Sequence, residues 1–132
     1  MCYIAAVCLL RIYANDKPEL TTMEVEQWVR YMQYAGVDRV ILYDAYESPT
    51  ESIRGWHHAL GDPNVHYVDW HHRVPYTIQG TQVAAYQHAI EHVNCTWHIA
   101  MDIDEYPFVL RDLNPNFLHR LVEGLTETEY TF

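Results

Sequence analysis

The longest apolar stretch of the chain is the run YIAAVCLL at residues 3–10, which contains no charged side chain. A continuous apolar run of this kind is typical of a strand covered on both faces, as in a parallel sheet. Other segments also have the length and apolar content of strands. They are residues 37–44, 64–70 and 97–104.

Between these strands the apolar residues recur at helical spacing. In the segment TTMEVEQWVRYMQYAG, one face of the predicted helix carries Val25, Trp28, Val29, Met32 and Ala35. Thr21 and Glu24 form a capping box at its start, and Gly36 marks its end. The spacing in residues 81–93 predicts a helix that buries Val83, Tyr86, Ile90 and Val93. Two more helices are predicted at 48–61 and at about 115–125, each opened by a polar cap and a proline.

Strands and helices therefore alternate along the chain. This order predicts an α/β fold, with a mainly parallel sheet and helices on both faces. No repeat or interdomain linker is visible, so residues 1–132 are interpreted as one domain. In such sheets ligands bind beyond the carboxyl ends of the strands, and the polar residues found there are the candidates for chemistry.

The fourth predicted strand ends in three acidic residues, Asp102, Asp104 and Glu105. Residues two apart in a strand point to the same side, so Asp102 and Asp104 are expected to aim at one place. Two close carboxylates repel each other unless a cation lies near them. The pattern predicts a hard divalent cation, Mg²⁺ or Mn²⁺, whose shell a diphosphate completes. A solvated strand end without metal remains open as the alternative.

A phosphatase of the haloacid dehalogenase type is a second interpretation of a strand followed by Asp-x-Asp. In that motif a Thr or Val follows at the fifth position, where this chain has Tyr106. The motif also normally opens its domain, whereas here it lies near the end of the sequence. Both observations weigh against the phosphatase interpretation.

The charge of the chain bears on its partners. Eight basic and 18 acidic residues give a formal net charge of −10, which argues against a general nucleic-acid binder. An acidic protein can still bind a phosphate compound through a bridging divalent cation. Arg73, after the third predicted strand, is a candidate for direct contact with a diphosphate, because guanidinium groups form paired hydrogen bonds to phosphate oxygens. A structural salt bridge is the alternative role for Arg73.

The three cysteines are odd in number and fit no zinc-binding spacing. Cys8 is interpreted as a small buried hydrophobic residue. A reducing compartment is the simpler expectation for such a chain, which favours the cytoplasm. No segment is long and apolar enough to predict a transmembrane helix. The nine histidines are interpreted as exposed helix and loop residues rather than as metal ligands.

Two segments resemble glycosyltransferases of the GT-A fold. QWVRYMQYAGVDRVILYD, at 27–44, is similar to a family segment reading Glu-Trp-Val, a Tyr or His, Gly-Val-Asp and a strand that ends in Tyr-Asp. QVAAYQHAIEHVNCTWHIAMDIDEY, at 82–106, resembles a helix opened by Gln, then Trp, an apolar strand and Asp-x-Asp-Glu-aromatic. Together they resemble the family 92 glycosyltransferases, formerly a domain of unknown function, and their family 2-like relatives. The resemblance covers roughly residues 3–108.

This resemblance implies a metal-dependent enzyme that binds a UDP- or GDP-sugar and transfers the sugar to a glycan or other hydroxyl acceptor. It implies that Asp104 ligates Mn²⁺ or Mg²⁺ and that Asp102 contacts the ribose or a metal-bound water. Asp44 then lies near the base or ribose, and Gln82 matches the glutamine that opens the family helix. The family's loop after the first strand also meets the nucleotide. Its counterparts here are Arg11, Asn15 and Asp16, in a longer and shifted loop.

Members of that family continue well past Asp-x-Asp into an acceptor-binding half, which commonly supplies the catalytic base. This sequence ends at Phe132. We therefore expect a nucleotide-binding domain that lacks the acceptor-binding half and in which the catalytic base is not assigned, either as half of a longer protein or as a reduced enzyme. The alternative is a non-catalytic module that binds a nucleotide or a protein on the same fold.

Overall fold

The computed structural model describes residues 2–10, 22–46, 52–54, 61–71 and 78–127. Four strands and three helices lie in these ranges. In chain order they are β1 (Cys2–Leu10), α1 (Thr22–Ala35), β2 (Arg39–Asp44), β3 (Val65–Asp69), α2 (Ile78–His92), β4 (Cys95–Ala100) and α3 (Phe117–Glu127).

The strands form one sheet in the order β3-β2-β1-β4, and every pairing is parallel. The predicted α/β fold with a parallel sheet is confirmed. β1 is the inner strand that pairs with both β2 and β4. In register, Val7 lies opposite Ile41 on one side and Ala100 on the other.

The side chains of β1 alternate between two apolar cores, one on each face of the sheet. Ile4, Ala6, Cys8 and Leu10 lie in the core that includes residues of α1 and α3. Ala5, Val7 and Leu9 lie in the core that includes α2. Both faces are therefore covered by helices, which explains why the run contains no polar position. Cys8 is buried, as predicted.

Helix α1 buries the predicted face completely. Val25, Trp28, Val29, Met32 and Ala35 are all buried. The helix ends in a Schellman motif: the Gly36 amide donates to Gln33 O and the Val37 amide to Met32 O. Gly36 has a φ of +113°, and an added Cβ would lie 2.8 Å from the His119 ring and 3.1 Å from Asn116 Cα. Glycine is therefore required both by the backbone and by the close packing of the segment before α3.

Helix α2 buries the predicted face only in part, since Tyr86 and Val93 pack against the core at its margin. Ala85 and Ala89 are fully buried against the sheet, whereas Val83 and Ile90 are 64% and 59% exposed. The prediction followed the large apolar residues, but small alanine side chains allow the helix axis to lie close to the strands. The helix also begins at Ile78, three residues before its predicted start.

Other boundaries differ as well. β4 ends at Ala100, so residues 101–104 are not part of the strand. α3 begins at Phe117, two residues after the predicted proline position, and Asn116 before it has a φ of +65°. Of the helix predicted at 48–61, the described residues 52–54 and 61 are not helical, and the remainder lies outside the described ranges, as does the predicted cap Thr21.

Cys2 and Cys95 form a disulfide between β1 and β4, with their Cα atoms 4.7 Å apart. They are register neighbours in the parallel pair, although 93 residues separate them in sequence. The disulfide removes the basis for expecting a reducing compartment, since such bonds persist in oxidising surroundings. Within the described ranges, no helix has the length and apolarity needed to cross a membrane.

The disulfide closes a long loop, so it should contribute strongly to stability. We expect the reduced chain, or the Cys2→Ser/Cys95→Ser double variant, to lose about 2–5 kcal/mol of unfolding free energy. Urea unfolding with and without dithiothreitol measures the difference, and the double variant should not respond to the reductant. A wild-type midpoint that stays constant while both thiols become titratable would contradict the expectation.

Candidate functional site

The strand order creates a switch point between β1 and β4. From β1, the strands β2 and β3 extend to one side and β4 lies on the other. In open α/β sheets a crevice forms at such a point, beyond the carboxyl ends of the two strands. Pairing continues one residue past β4, where the Met101 amide donates to Val7 O at 3.0 Å. Residues Asp102–Glu105 follow directly and so lie beyond the carboxyl ends of these two strands.

These four residues form a turn that closes on itself, and we refer to Asp102–Glu105 as the acidic turn. The Glu105 amide donates to Asp102 O at 3.0 Å, and the Asp102 amide donates to Glu105 Oε1 at 2.7 Å. The prediction that Asp102 and Asp104 point to one side because they alternate in a strand was therefore wrong in its reason. A turn sets their directions, and the Glu105 carboxylate helps to hold that turn.

The acidic turn has unfavourable electrostatics. Partial burial raises the pKa of Asp102 above its ordinary value, and the charges of Glu105 and Asp104 raise it further. Burial also raises the pKa of the Cys8 thiol, with smaller contributions from the same three carboxylates. Negative potential thus extends from the turn to Cys8, near the carboxyl end of β1. A bound cation would offset it.

Helix α1 holds the segment that follows β4 through three side chains spaced three residues apart. The Trp28 indole donates to Glu105 O at 2.9 Å, and the Tyr31 and Tyr34 hydroxyls donate to Pro107 O and Leu113 O, each at 2.5 Å. Sequence analysis assigned Trp28 to the core only. Its spacing with Tyr31 and Tyr34 was visible in the sequence, but the acceptors are backbone carbonyls about 80 residues away, which no local pattern reveals.

Gln82 and Asp102, both predicted donor-binding residues, are brought together by the fold. The Gln82 amide lies 3.4 Å from Asp102 Oδ1 and 3.0 Å from the Tyr86 hydroxyl. The first distance is long for a hydrogen bond, so the Asp102 carboxylate is only weakly held by α2. The Asp102 residue is exposed to solvent at this edge of the sheet.

Asp44 lies at the end of β2 and is fully buried. Its Oδ2 accepts hydrogen bonds from the Ser52 hydroxyl, the Ile53 amide and the Tyr67 hydroxyl, at 2.8–3.0 Å. Its Oδ1 is buried and has no hydrogen-bond partner among the described residues. Asp44 therefore holds segment 52–54 against β3 in this structure, and it does not present a carboxylate to solvent.

A second polar cluster, which sequence analysis did not predict, lies at the end of β3. Asp69 accepts hydrogen bonds from the His71 amide at 3.0 Å and the Tyr46 hydroxyl at 3.1 Å, and it forms an ion pair with Arg54. Burial raises the pKa of Asp69, but the hydrogen bonds and Arg54 outweigh burial, and the pKa lies below its ordinary value. The signal in the sequence was the position of Asp69 near the end of a predicted strand, as for Asp44.

The remaining predicted donor-binding residues, Arg11, Asn15, Asp16 and Arg73, lie outside the described ranges. Asp102 and Asp104 are the predicted metal ligands. Within the described part of the chain, no three His, Cys, Asp or Glu side chains are grouped to hold a metal ion. Two carboxylates with substrate phosphates and water are a common set for Mg²⁺. The residues of the acidic turn therefore fit a cation shared with a diphosphate.

Comparison of the chain with models of known protein families, and with curated proteins, finds no match. The functional argument therefore depends on the residues and their geometry.

The raised pKa of Asp102 predicts a specific pH dependence. A carboxyl group whose pKa is raised on folding stabilises the protein below its ordinary value of 3.8, and this contribution is lost as the pH rises through the folded-state pKa. In EDTA, Asp102→Asn should therefore raise the melting temperature at pH 7, and the gain should shrink as the pH falls toward 4.

Asp112→Asn is the matched control with the opposite sign. Its hydrogen bonds with Arg120 lower the pKa of Asp112, so its contribution is present above 3.8 and lost as the pH falls. This variant should melt lower than the wild type at pH 7. Equal melting temperatures for Asp102→Asn and the wild type at pH 7 would contradict the repulsion described for the acidic turn.

Proposed function

We propose that this chain is a metal-dependent glycosyltransferase domain that binds a nucleotide-sugar at the crevice between β1 and β4. One observation carries the proposal: three carboxylates of the acidic turn follow β4 at the switch point of a parallel sheet, where partial burial and the charges of Glu105 and Asp104 raise the pKa of Asp102. A ligand that brings both a divalent cation and phosphates matches this position and this charge.

The resemblance of residues 27–44 and 82–106 to GT-A glycosyltransferases supports the choice of a nucleotide-sugar over other phosphate compounds. In this proposal Asp104 ligates Mn²⁺ or Mg²⁺, and Asp102 contacts the ribose or a metal-bound water. Gln82 lies next to Asp102, 3.4 Å from its Oδ1, and leaves that carboxylate free to turn toward the ligand. When bound, the divalent cation supplies Lewis-acid stabilisation of the diphosphate that leaves the sugar.

The rest of the chain contributes by holding the acidic turn in place. The Glu105 carboxylate accepts a hydrogen bond from the Asp102 amide, and the Trp28 indole donates a hydrogen bond to the Glu105 carbonyl oxygen. Preorganisation of this kind reduces the cost of arranging ligands when the cation and diphosphate bind. In the proposal Asp44 does not contact the ligand. It positions segment 52–54 at the end of β2, the strand next to β1.

The proposal predicts that nucleotide binding depends on the metal. UDP or GDP with Mn²⁺ should raise the melting temperature, by an amount equal to about 2.7 kcal/mol at 100 times the dissociation constant. The same nucleotide in EDTA should have little effect, because the diphosphate then meets uncompensated carboxylates. A thermal-shift series with each nucleotide and metal measures this, and equal stabilisation in EDTA would overturn the bridging cation.

Asp104→Ala is the variant for the same assay, with Asp112→Ala as its control. Asp112 is an acidic residue on the same segment whose carboxylate is engaged by Arg120. Asp104→Ala should remove metal-dependent binding and leave the fold intact, since it relieves repulsion in the metal-free chain. Unchanged nucleotide affinity of the Asp104→Ala variant in Mn²⁺ would contradict the assignment of the binding site to the acidic turn.

A transfer assay separates an enzyme from a non-catalytic module. The enzyme should release nucleoside diphosphate from a UDP- or GDP-sugar, to water or to a glycan acceptor, only with Mn²⁺ or Mg²⁺ and only with Asp104 present. Mass spectrometry of the products measures both reactions. Metal-dependent binding without sugar release from any donor would favour the module, which binds the nucleotide and performs no transfer.

A further inference from the structure

The short connection between α2 and β4 contains the tripeptide Asn94-Cys95-Thr96. It is the only Asn-x-Ser/Thr tripeptide in the sequence, and its middle residue is not proline. This pattern is the acceptor motif for N-linked glycosylation, and it is typical of surface loops in secreted proteins. It was not among the features predicted from the sequence, although it is a local pattern. Because a tripeptide also arises by chance, its structural context has to decide whether it is a site.

The fold presents Asn94 at the tip of a tight turn. The Cys95 amide donates to Val93 O at 3.0 Å, so Asn94 is the central residue of a three-residue γ-turn between α2 and β4. Asn94 and Thr96 are both exposed to solvent. Within the described part of the chain, neither side chain is engaged in a hydrogen bond. The acceptor amide and the hydroxyl of the motif are therefore both accessible at the surface.

The middle residue of the motif supplies an independent observation. Cys95 forms the disulfide with Cys2. Disulfides form and persist in oxidising surroundings such as the lumen of the endoplasmic reticulum. N-linked glycans are attached to secreted proteins in that same compartment. The disulfide and the glycosylation motif depend on unrelated chemistry, and both indicate one compartment.

We propose that Asn94 carries an N-linked glycan, attached in the oxidising compartment in which the Cys2–Cys95 disulfide forms. The donor is an oligosaccharide joined through a diphosphate to a lipid, and a separate transferase of that compartment catalyses the reaction. Nδ2 of Asn94 forms a bond to the anomeric carbon of the sugar as the bond from that carbon to the diphosphate oxygen breaks. The amide nitrogen gives up one proton, the lipid diphosphate leaves, and no atom is oxidised or reduced. The chain is the acceptor in this reaction and not its catalyst.

The position of Asn94 is compatible with the rest of the fold. Asn94 precedes β4, whereas the acidic turn follows it, so the six residues of this strand separate them by about 20 Å. A glycan at Asn94 therefore leaves the proposed nucleotide site open. β4 is also the outer strand in the order β3-β2-β1-β4 of the described sheet. A bulky, hydrophilic group at the start of an outer strand hinders its pairing with a strand of another molecule.

Mass spectrometry of the full chain, directed into the endoplasmic reticulum of cultured eukaryotic cells by a cleavable signal peptide, tests the proposal. Peptide:N-glycosidase removes N-glycans and leaves aspartate, so it should lower the mass of the wild type and introduce heavy oxygen from labelled water at Asn94. Asn94→Gln and Thr96→Ala should each lose the glycan, whereas Thr96→Ser keeps the motif and should retain it. The matched control Asn64→Gln, at an exposed asparagine outside the motif, should be glycosylated as the wild type is.

Asparagine is also common in turns for conformational reasons, so the covalent product is measured and not the stability. Because the mass is measured on denatured chains, a variant that fails to fold still reports its modification. The proposal is overturned if the wild type from these cells carries no glycan, or if Asn94→Gln retains a mass that the glycosidase lowers. Protein purified from its natural source should carry the same glycan, and an unmodified Asn94 in that protein would equally overturn the proposal.

Discussion

The parallel pairing of β1 with both β2 and β4 is the constraint on which the rest of the structure depends. Parallel neighbours require crossover connections, and β1 accordingly has helices over both faces. All strands also end at the same edge of the sheet. The polar residues that follow them are therefore collected in one region, although Asp44 and Asp102 are far apart in sequence.

The strand ends handle their buried and charged groups in different ways. At β2 and β3, Asp44 and Asp69 are surrounded by donors from Ser52, Tyr67 and Arg54, and they stabilise local structure. At β4 the acidic turn satisfies its own backbone but brings three carboxylates together without a nearby base among their described partners. Asp44 and Asp69 therefore stabilise the fold, whereas the acidic turn leaves negative charge that a ligand can neutralise.

The sequence predicted those features that one helix or one strand determines alone. The apolar run of β1 and the buried face of α1 follow from burial and periodicity, and both were confirmed. Periodicity did not predict the buried face of α2, because Ala85 and Ala89 are fully buried against the sheet while larger residues such as Ile90 remain exposed. Periodicity of large side chains therefore misassigns a helix that lies on a sheet through alanines.

Features that join distant parts of the chain were beyond local patterns. The Cys2–Cys95 disulfide depends on the register of β1 and β4, and the bond from Trp28 to Glu105 depends on where α1 crosses the segment after β4. The carboxylates of the acidic turn were found because their residue type and strand-end position are both local. The directions of these carboxylates were not predicted correctly, because β4 ends at Ala100 and the residues that follow form a turn.

Helix α2 connects the core of the sheet to the acidic turn. Its alanine face fixes it on the sheet, Gln82 near its start lies next to Asp102, and His88 near its end meets Tyr43 of β2. Because the Gln82 amide lies 3.4 Å from Asp102 Oδ1, the helix constrains that carboxylate only weakly. The acidic turn therefore keeps its shape through its own backbone, the Glu105 carboxylate and Trp28 of α1, while the Asp102 side chain can still turn toward a ligand.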